Sequence, residues 1–451
     1  MTSIRRKLAT SSSTLFKSES VKPTITALDY AIFFAIAFLS QLLQGRGLTG
    51  SAIVFLAIAI YSSCAKKEPL VLFIFFLIPS NRVAMFGPVS APLFAICVYF
   101  CRFIILDKRV ALDKAVLLIS IFLMAYASLQ CLFDNSWVPV VDNLKTVVIV
   151  IAIVSIFCED KIISVRAVLL SFSVGLIWPA ILSVLFGGGD LNAGARFALS
   201  DEGGQNVLGI TCAVLAAALL SYSLIQVRSA SMICLAILLM LIGILTQSRS
   251  FILGMLIGVV VLFFGVLIKL SEKQLLKAIA MLLVVSMAII IAAVLAPGLQ
   301  DYATMAIDRI INPRGGDISN ERFEIWGQYI QSLISNPSFV LFGTSDVSRY
   351  GFDIVAHNFV IEQLASHGIV GNAIVLLLYG RVLQLLAAKY RVKSLFSDKL
   401  ISAAAIMVLF SSSMFSHTML GLPQTMMLVV SAILLFSSCE IKANVVREVN
   451  G

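Results

Sequence analysis

Fourteen apolar runs decide what this chain can fold into. They lie near residues 28–45, 48–64, 69–86, 91–107, 113–133, 141–158, 164–187, 206–226, 230–247, 250–269, 276–296, 366–387, 399–416 and 421–439. A helix needs roughly 20 mainly apolar residues to cross the hydrocarbon of a bilayer. Several runs are short, and 69–86 is broken by Pro79 and Asn81, which gives it a re-entrant alternative. The expectation is an all-α polytopic membrane protein with about 12 to 14 transmembrane helices. Composition agrees, since only 13% of the 451 residues are charged. A soluble domain carries about 25%.

Loop charges set the orientation, because cytoplasmic loops carry an excess of Lys and Arg. With the N-terminus inside and the runs alternating, nine of the 33 Lys and Arg fall outside. These are Arg46, Arg82, Lys145, Arg196, Arg249, Arg309, Arg314, Arg322 and Arg349. The bias supports this register, since dropping one early span would reverse every later loop. It also gives the net charge of +9 a role other than nucleic-acid binding. The basic residues anchor spans at an anionic leaflet, so membrane lipids are partners and nucleic acid is not.

Residues 1–27 are basic and Ser-rich with no apolar h-region, which reads as a cytoplasmic tail rather than a signal peptide. A transit peptide shares that composition and is the minor alternative. Residues 441–451 form a second cytoplasmic tail. The eight cysteines lie nearly all in apolar runs and show no CxxC spacing, so neither a disulfide framework nor a zinc site is expected.

The spans divide into a bundle over 28–297 and a C-terminal group over 359–440. Between them lies one long external segment, 298–358, and loops of that length are usually functional or disordered. Order is expected here. In NERFEIWGQYIQSLISNP, Phe323, Trp326, Ile330 and Leu333 recur at helical spacing. Ser319 or Asn320 suits the N-cap, and Pro337 marks the end. A one-sided helix outside the membrane can lie on the bilayer interface or cap the bundle. A second external segment, 187–206, is short and Gly-rich.

Eight of the nine external basic residues are arginine, whose planar fork matches phosphate oxygens in a bidentate manner. Arg249 sits in a turn of a few residues between two spans. It reads either as a snorkelling anchor or as an anion ligand. Arg196 and Arg322 read either as solvated loop residues or as ligands of the same kind. His357 stands before a span on the outside and suits a base near neutral pH, or a hydrogen-bonded structural role. His367 reads as an interfacial polar residue, and the spacing of His417 is uninformative. Three scattered histidines make no metal site, and no Asp-rich pair suggests one. Glu321 and Glu324 read as helix-end and surface charges. Gly368 and Gly371 serve close helix packing, a tight turn that seats the preceding polar loop, or both.

Two patterns resemble the signature pair of the O-antigen ligase and Wzy-type polymerase superfamily. One is Arg-x-x-x-Leu, met by Arg249 and Leu253. The other is His-Asn, nine residues, then Gly-x-x-Gly, met by His357, Asn358, Gly368 and Gly371. Between them lies a long external loop with an Arg and Trp helix, Arg322 and Trp326. The resemblance covers roughly residues 190 to 440. It implies a GT-C-like, all-α enzyme of the bacterial inner membrane whose site opens to the periplasm. It further implies inverting glycosyl transfer without metal or other cofactor, from a glycan carried on undecaprenyl diphosphate. On this reading Arg249 and Arg322 bind the diphosphate, and Arg196 assists with donor or glycan. His357 takes the proton of the attacking hydroxyl or orients it. Asn358 orients His357 or binds sugar, and Trp326 contacts substrate. Leu253, Gly368 and Gly371 are structural.

Three functions compete. A polymerase for O-antigen or exopolysaccharide passes the growing glycan to the sugar of a second lipid-linked unit, and such polymerases commonly work with a chain-length regulator. A ligase of lipopolysaccharide biosynthesis passes it to lipid A-core. A flippase or transporter would place ionisable residues near the bilayer midplane, whereas these span centres are almost free of charge. The apparent span number exceeds the twelve expected of a ligase and favours the polymerase.

Overall fold

The computed structural model describes residues 25–44, 46–81, 83–106, 113–158, 163–186, 197–199, 204–225, 229–269, 322–344, 356–390, 395–414 and 421–437, with residues 276 and 304 in isolation. The helices are α1 (Ala27–Leu42), α2 (Gly47–Cys64), α3 (Lys67–Leu77), α4 (Ala91–Tyr99), α5 (Lys114–Asp134), α6 (Val138–Phe157), α7 (Val165–Phe186), α8 (Gln205–Ile225), α9 (Ala230–Leu245) and α10 (Arg249–Lys269). They continue as α11 (Arg322–Ser335), α12 (Pro337–Phe342), α13 (Phe359–Tyr390), α14 (Phe396–Ser413) and α15 (Leu422–Ser437). Eight of these, α2, α5, α6, α7, α8, α10, α13 and α14, are long and apolar enough to cross a membrane. The protein is therefore an all-α, multi-pass membrane protein. Shorter apolar helices include α1, α9 and α15. The run at 276–296 lies outside the described residues, as do both tails.

The run at 69–86 is not one continuous helix, in keeping with its re-entrant alternative. Its helix, α3, has 11 residues, continues as a 3₁₀ turn over Ile78–Ser80, and gives way to a hairpin of β1 (Met85–Phe86) and β2 (Val89–Ser90). Eleven residues rise about 16 Å, roughly half the hydrocarbon thickness. Pro79 cannot continue the helical ladder, so the helix stops. Leu70 to Ile78 are all buried, so this segment fills the bundle instead of facing lipid. The next run is also irregular. After α4 the chain winds as a π-helix over Phe100–Leu106. From it Arg102 donates to the carbonyls of Ser62, at 2.9 Å, and Ala65, satisfying carbonyls at the C-terminal end of α2.

The centre of the bundle is α8, in which every residue from Leu208 to Leu219 is buried. It packs with α9, α10 and α14. Small residues make that approach possible. A β-carbon on Gly254 of α10 would collide with the Ser412 hydroxyl of α14, and one on Gly258 would stand 2.7 Å from Val408. The same two positions face Ala213 and Ala217 of α8 at 3.6 and 3.8 Å. Apolar lipid offers no hydrophobic drive for helix association, so close backbone contact through such residues supplies it.

Helices α5 and α13 run antiparallel and are tied near both ends. At one end Arg381 forms an ion pair of 2.7 Å with Asp113, the N-cap of α5. At the other, Gln130 Nε2 donates to the Ser366 carbonyl at 2.8 Å. The second tie belongs to the site.

Candidate functional site

Arg249 opens α10. The turn before it is built from short polar side chains, Thr246, Gln247 and Ser248, all buried. Thr246 Oγ1 donates to the Gly243 carbonyl at 2.6 Å, and the Ser248 amide donates to Thr246 Oγ1 at 3.3 Å. Ser248 Oγ donates to Asn206 Oδ1 of α8 at 3.2 Å. The turn is thereby fixed to α8, and half-buried Arg249 projects from a rigid base. Leu253 lies one turn on, partly buried. Arg196 falls outside the described residues. Its neighbour Phe197 is buried, and the Phe197 amide donates to the Leu245 carbonyl at 3.2 Å, at the end of α9.

Arg322 opens α11 and stands near Arg249. Burial first, and then the Arg249 charge, pull the Arg322 guanidinium below its ordinary range. Two like charges gathered in a partly buried place disfavour each other, and an anion between them would relieve that cost. Among the described residues, no group of three His, Cys, Asp or Glu is placed to hold a metal ion.

Helix α11 buries one stripe of its surface. The spacing put Phe323, Trp326, Ile330 and Leu333 on one apolar face, laid on the bilayer interface or on the bundle. Tyr329 and Leu333 are buried and Ile325 and Trp326 partly so, whereas Phe323 and Ile330 are 68% and 48% exposed. The buried stripe is 325/326, 329 and 333, because the helix docks on Phe339, Ala356 and Ala365 rather than on the main bundle core. Pro337 also does more than end a helix. It occupies the first turn of α12, where a missing N–H costs nothing. The two residues offered as N-cap, Ser319 and Asn320, lie outside the described residues.

Trp326 is one turn from Arg322 on α11, and its indole N–H donates to the Ala356 carbonyl at 2.7 Å. The next residue is His357, half-buried and with φ of 52°. One helix thus links the arginine pair to the histidine. Asn358 is buried and caps α13, its Oδ1 accepting from the amides of Val360 and Ile361 at 3.0 and 3.2 Å. An N-cap of this kind typically stabilises a helix by about 1 kcal/mol.

The first half of α13 is short because Gly368 breaks it. Gly368 has φ 58° and ψ −173°, a region open essentially to glycine alone. A β-carbon there would strike the Leu341 carbonyl, so α12 could not dock. Gly371 seats Tyr126, whose ring carbon would lie 2.5 Å from an added β-carbon. The two glycines of the motif therefore have different duties, one a turn and the other close packing.

A break in a membrane-depth helix frees carbonyls that need donors. Sequence reasoning missed the donors. Tyr126, Gln130 and Asp134 stand at i, i+4 and i+8 on α5, which puts them on one face. Gln130 Nε2 reaches the Phe342 carbonyl at 2.7 Å as well as Ser366. Tyr126 Oη lies between the carbonyls of Phe342 and His367, the latter at 2.7 Å, with one proton to give. Thr344 Oγ1 donates to Asp134 Oδ1 at 3.0 Å. Asn372 Nδ2 takes the carbonyls of Gln363 and Gly368 at 2.7 and 2.6 Å. The signal was present as polar residues recurring every four positions in an apolar run, the pattern of a span face turned inward. Glu362 was missed too. Its Oε1 accepts from the His357 amide at 2.8 Å, and its charge, after burial, helps push the Tyr329 phenol up to about 12.

Comparison of the chain with protein-family models, with curated proteins and with solved structures gave no match.

Proposed function

We propose that this chain is a glycosyltransferase of the O-antigen polymerase and ligase kind. It takes a glycan from undecaprenyl diphosphate at the periplasmic face of a bacterial inner membrane and joins it to the sugar of a second lipid-linked repeat unit. The observation that carries the reading is that Trp326, one turn from Arg322 on α11, holds the peptide that precedes His357, with Arg322 also within electrostatic reach of Arg249.

The chemistry follows. An acceptor hydroxyl oxygen attacks the anomeric carbon from the face opposite the diphosphate. The new glycosidic bond forms as the carbon–oxygen bond to the diphosphate breaks, and the configuration inverts. The electron pair leaves on the diphosphate, and the hydroxyl proton goes to the His357 imidazole. Negative charge grows on the leaving group, where fixed guanidinium groups stabilise it most. A positioned base typically contributes about 10²- to 10⁴-fold. Asn358 serves as the N-cap that fixes the chain beside the base. The charge-free interior of α10 between Arg249 and Lys269 speaks for an enzyme at one face and against transport.

A deletion strain tests the reading through its glycan profile. Loss of this polymerase leaves a single repeat on lipid A-core, or no exopolysaccharide. Long chains that stay unattached would assign lipid A-core as the acceptor instead. Unchanged glycans, or a cysteine at position 357 labelled only from the cytosol, would remove the proposal.

A further inference from the structure

One peptide unit precedes the proposed base, and two side chains from different elements hold it. Its carbonyl, on Ala356, accepts from Trp326 Nε1 at 2.7 Å. Its amide, on His357, donates to Glu362 Oε1 at 2.8 Å. Trp326 comes from α11 and Glu362 from the first turn of α13. Ala356 is 0% exposed, so water cannot replace the indole at that carbonyl. His357 itself is left-handed at φ 52°, a conformation costly for any residue with a β-carbon. Such a conformation persists only where its surroundings over-determine it. The two hydrogen bonds, with the Asn358 cap immediately after, supply that constraint.

We infer that Trp326 and Glu362 are positioning residues that grip the Ala356–His357 peptide from its two sides and so set where the imidazole stands. The inference rests on the reading of His357 as the base. It gives Trp326 a duty other than touching sugar, since its N–H is directed to backbone. It gives Glu362 the duty of an acceptor oxygen at the His357 amide, beside the charge it turns on Tyr329. Glutamine offers the same acceptor, whereas phenylalanine has no N–H to replace that of indole. A displacement of about 1 Å at a reacting group costs on the order of 100-fold in rate.

The test uses the full-length protein in lipid nanodiscs, with lipid-diphosphate-linked repeat units extracted from a strain lacking this chain. E362A and W326F should each lose about 10- to 100-fold in kcat, with the donor KM held within about two-fold. E362Q should stay within about three-fold of the parent. The double variant W326F/E362A should fall little below the worse single variant, because both act on one peptide. Hydrogen exchange at the His357 amide reads the same grip without turnover: E362A speeds exchange and E362Q does not. Equal losses in E362Q and E362A, or a raised KM at unchanged kcat in W326F, overturn the inference. If exchange responds but H357A transfers normally, the base reading fails and takes the catalytic role of the grip with it. If H357A is inactive while E362A keeps both its rate and its protected amide, the grip alone fails.

Discussion

The junction of α8, α10 and α14 and the cap made by α11, α12 and the first half of α13 are both apolar inside, yet they are assembled by different means. In the junction, regular helices approach through Gly254, Gly258, Ala213 and Ala217. Their backbones are regular and side-chain size sets the approach, with two serine hydroxyls pinning it: Ser412 Oγ donates to the Ser250 carbonyl at 2.9 Å and Ser221 Oγ to the Ile401 carbonyl at 2.8 Å. In the cap, Tyr329, Leu333, Phe339, Ala356 and Ala365 form a small separate core. Its backbone is irregular, and Tyr126 and Gln130 of α5 must supply donors for the carbonyls that the Gly368 break releases. Irregular backbone at membrane depth survives only where protein satisfies it. The contrast teaches where a multi-pass membrane protein can keep irregular backbone: in the region where neighbouring side chains supply directional hydrogen bonds, on a bundle of regular helices.

The sharpest break of the comparison is His357→Ala. If the proposed function holds, transfer in nanodiscs should fall by about 10³-fold or more, while thermal unfolding stays where it was, because the imidazole is then the base and a half-buried side chain in the cap contributes little to the fold. Arg249→Ala follows, with about 10²- to 10³-fold lost in kcat/KM for the donor, as expected for one electrostatic ligand of a leaving group. Arg249→Lys should recover only part of it, since a point charge lacks the planar fork. Full rescue by Lys would reduce Arg249 to an anchor.

Gln130→Ala sharpens the comparison from the other side. It leaves the Phe342 and Ser366 carbonyls without their shared donor, a local cost of about 1–3 kcal/mol. Transfer should fall about ten-fold through loosened geometry, and faster hydrogen exchange should be confined to residues 359–367 and α12. Exchange that rises across α8 and α10 instead would erase the distinction between the regions. The smallest effect on turnover is expected from Gly258→Leu. Overpacking against Val408 should cost about 1–3 kcal/mol in stability, read as a lower unfolding temperature, with the activity per folded molecule nearly unchanged.

How far the sequence could be read divides along the same line. Helices in the bundle follow from apolar runs of spanning length, and their ends shift by a few residues where a cap decides them, as Asn358 does for α13. The two motif halves could be spotted along the chain, but their relation in space could not. The spacing gave α11 one apolar face, but which part of it protein covers, Tyr329 and Leu333 rather than Phe323 and Ile330, was chosen by the partner it docks on. The run at 69–86 breaks at Pro79, as its sequence allowed, but its burial among other helices was not legible. Apolar content says that a segment avoids water, and lipid and protein interior satisfy that equally.

What the chain determined by itself is local and statistical: which segments are too apolar for water, where glycine and proline interrupt them, and which connecting segments carry positive charge. Those are one-dimensional properties, fixed by transfer free energies and backbone sterics. Only the tertiary structure decided that Arg322 comes within electrostatic reach of Arg249, that one peptide is held by Trp326 and Glu362, and that a polar stripe on α5 receives a helix broken some 240 residues later. Each of these is a contact between distant segments. Hydrogen-bond geometry and close packing select such contacts from many apolar arrangements that the sequence pattern permits equally.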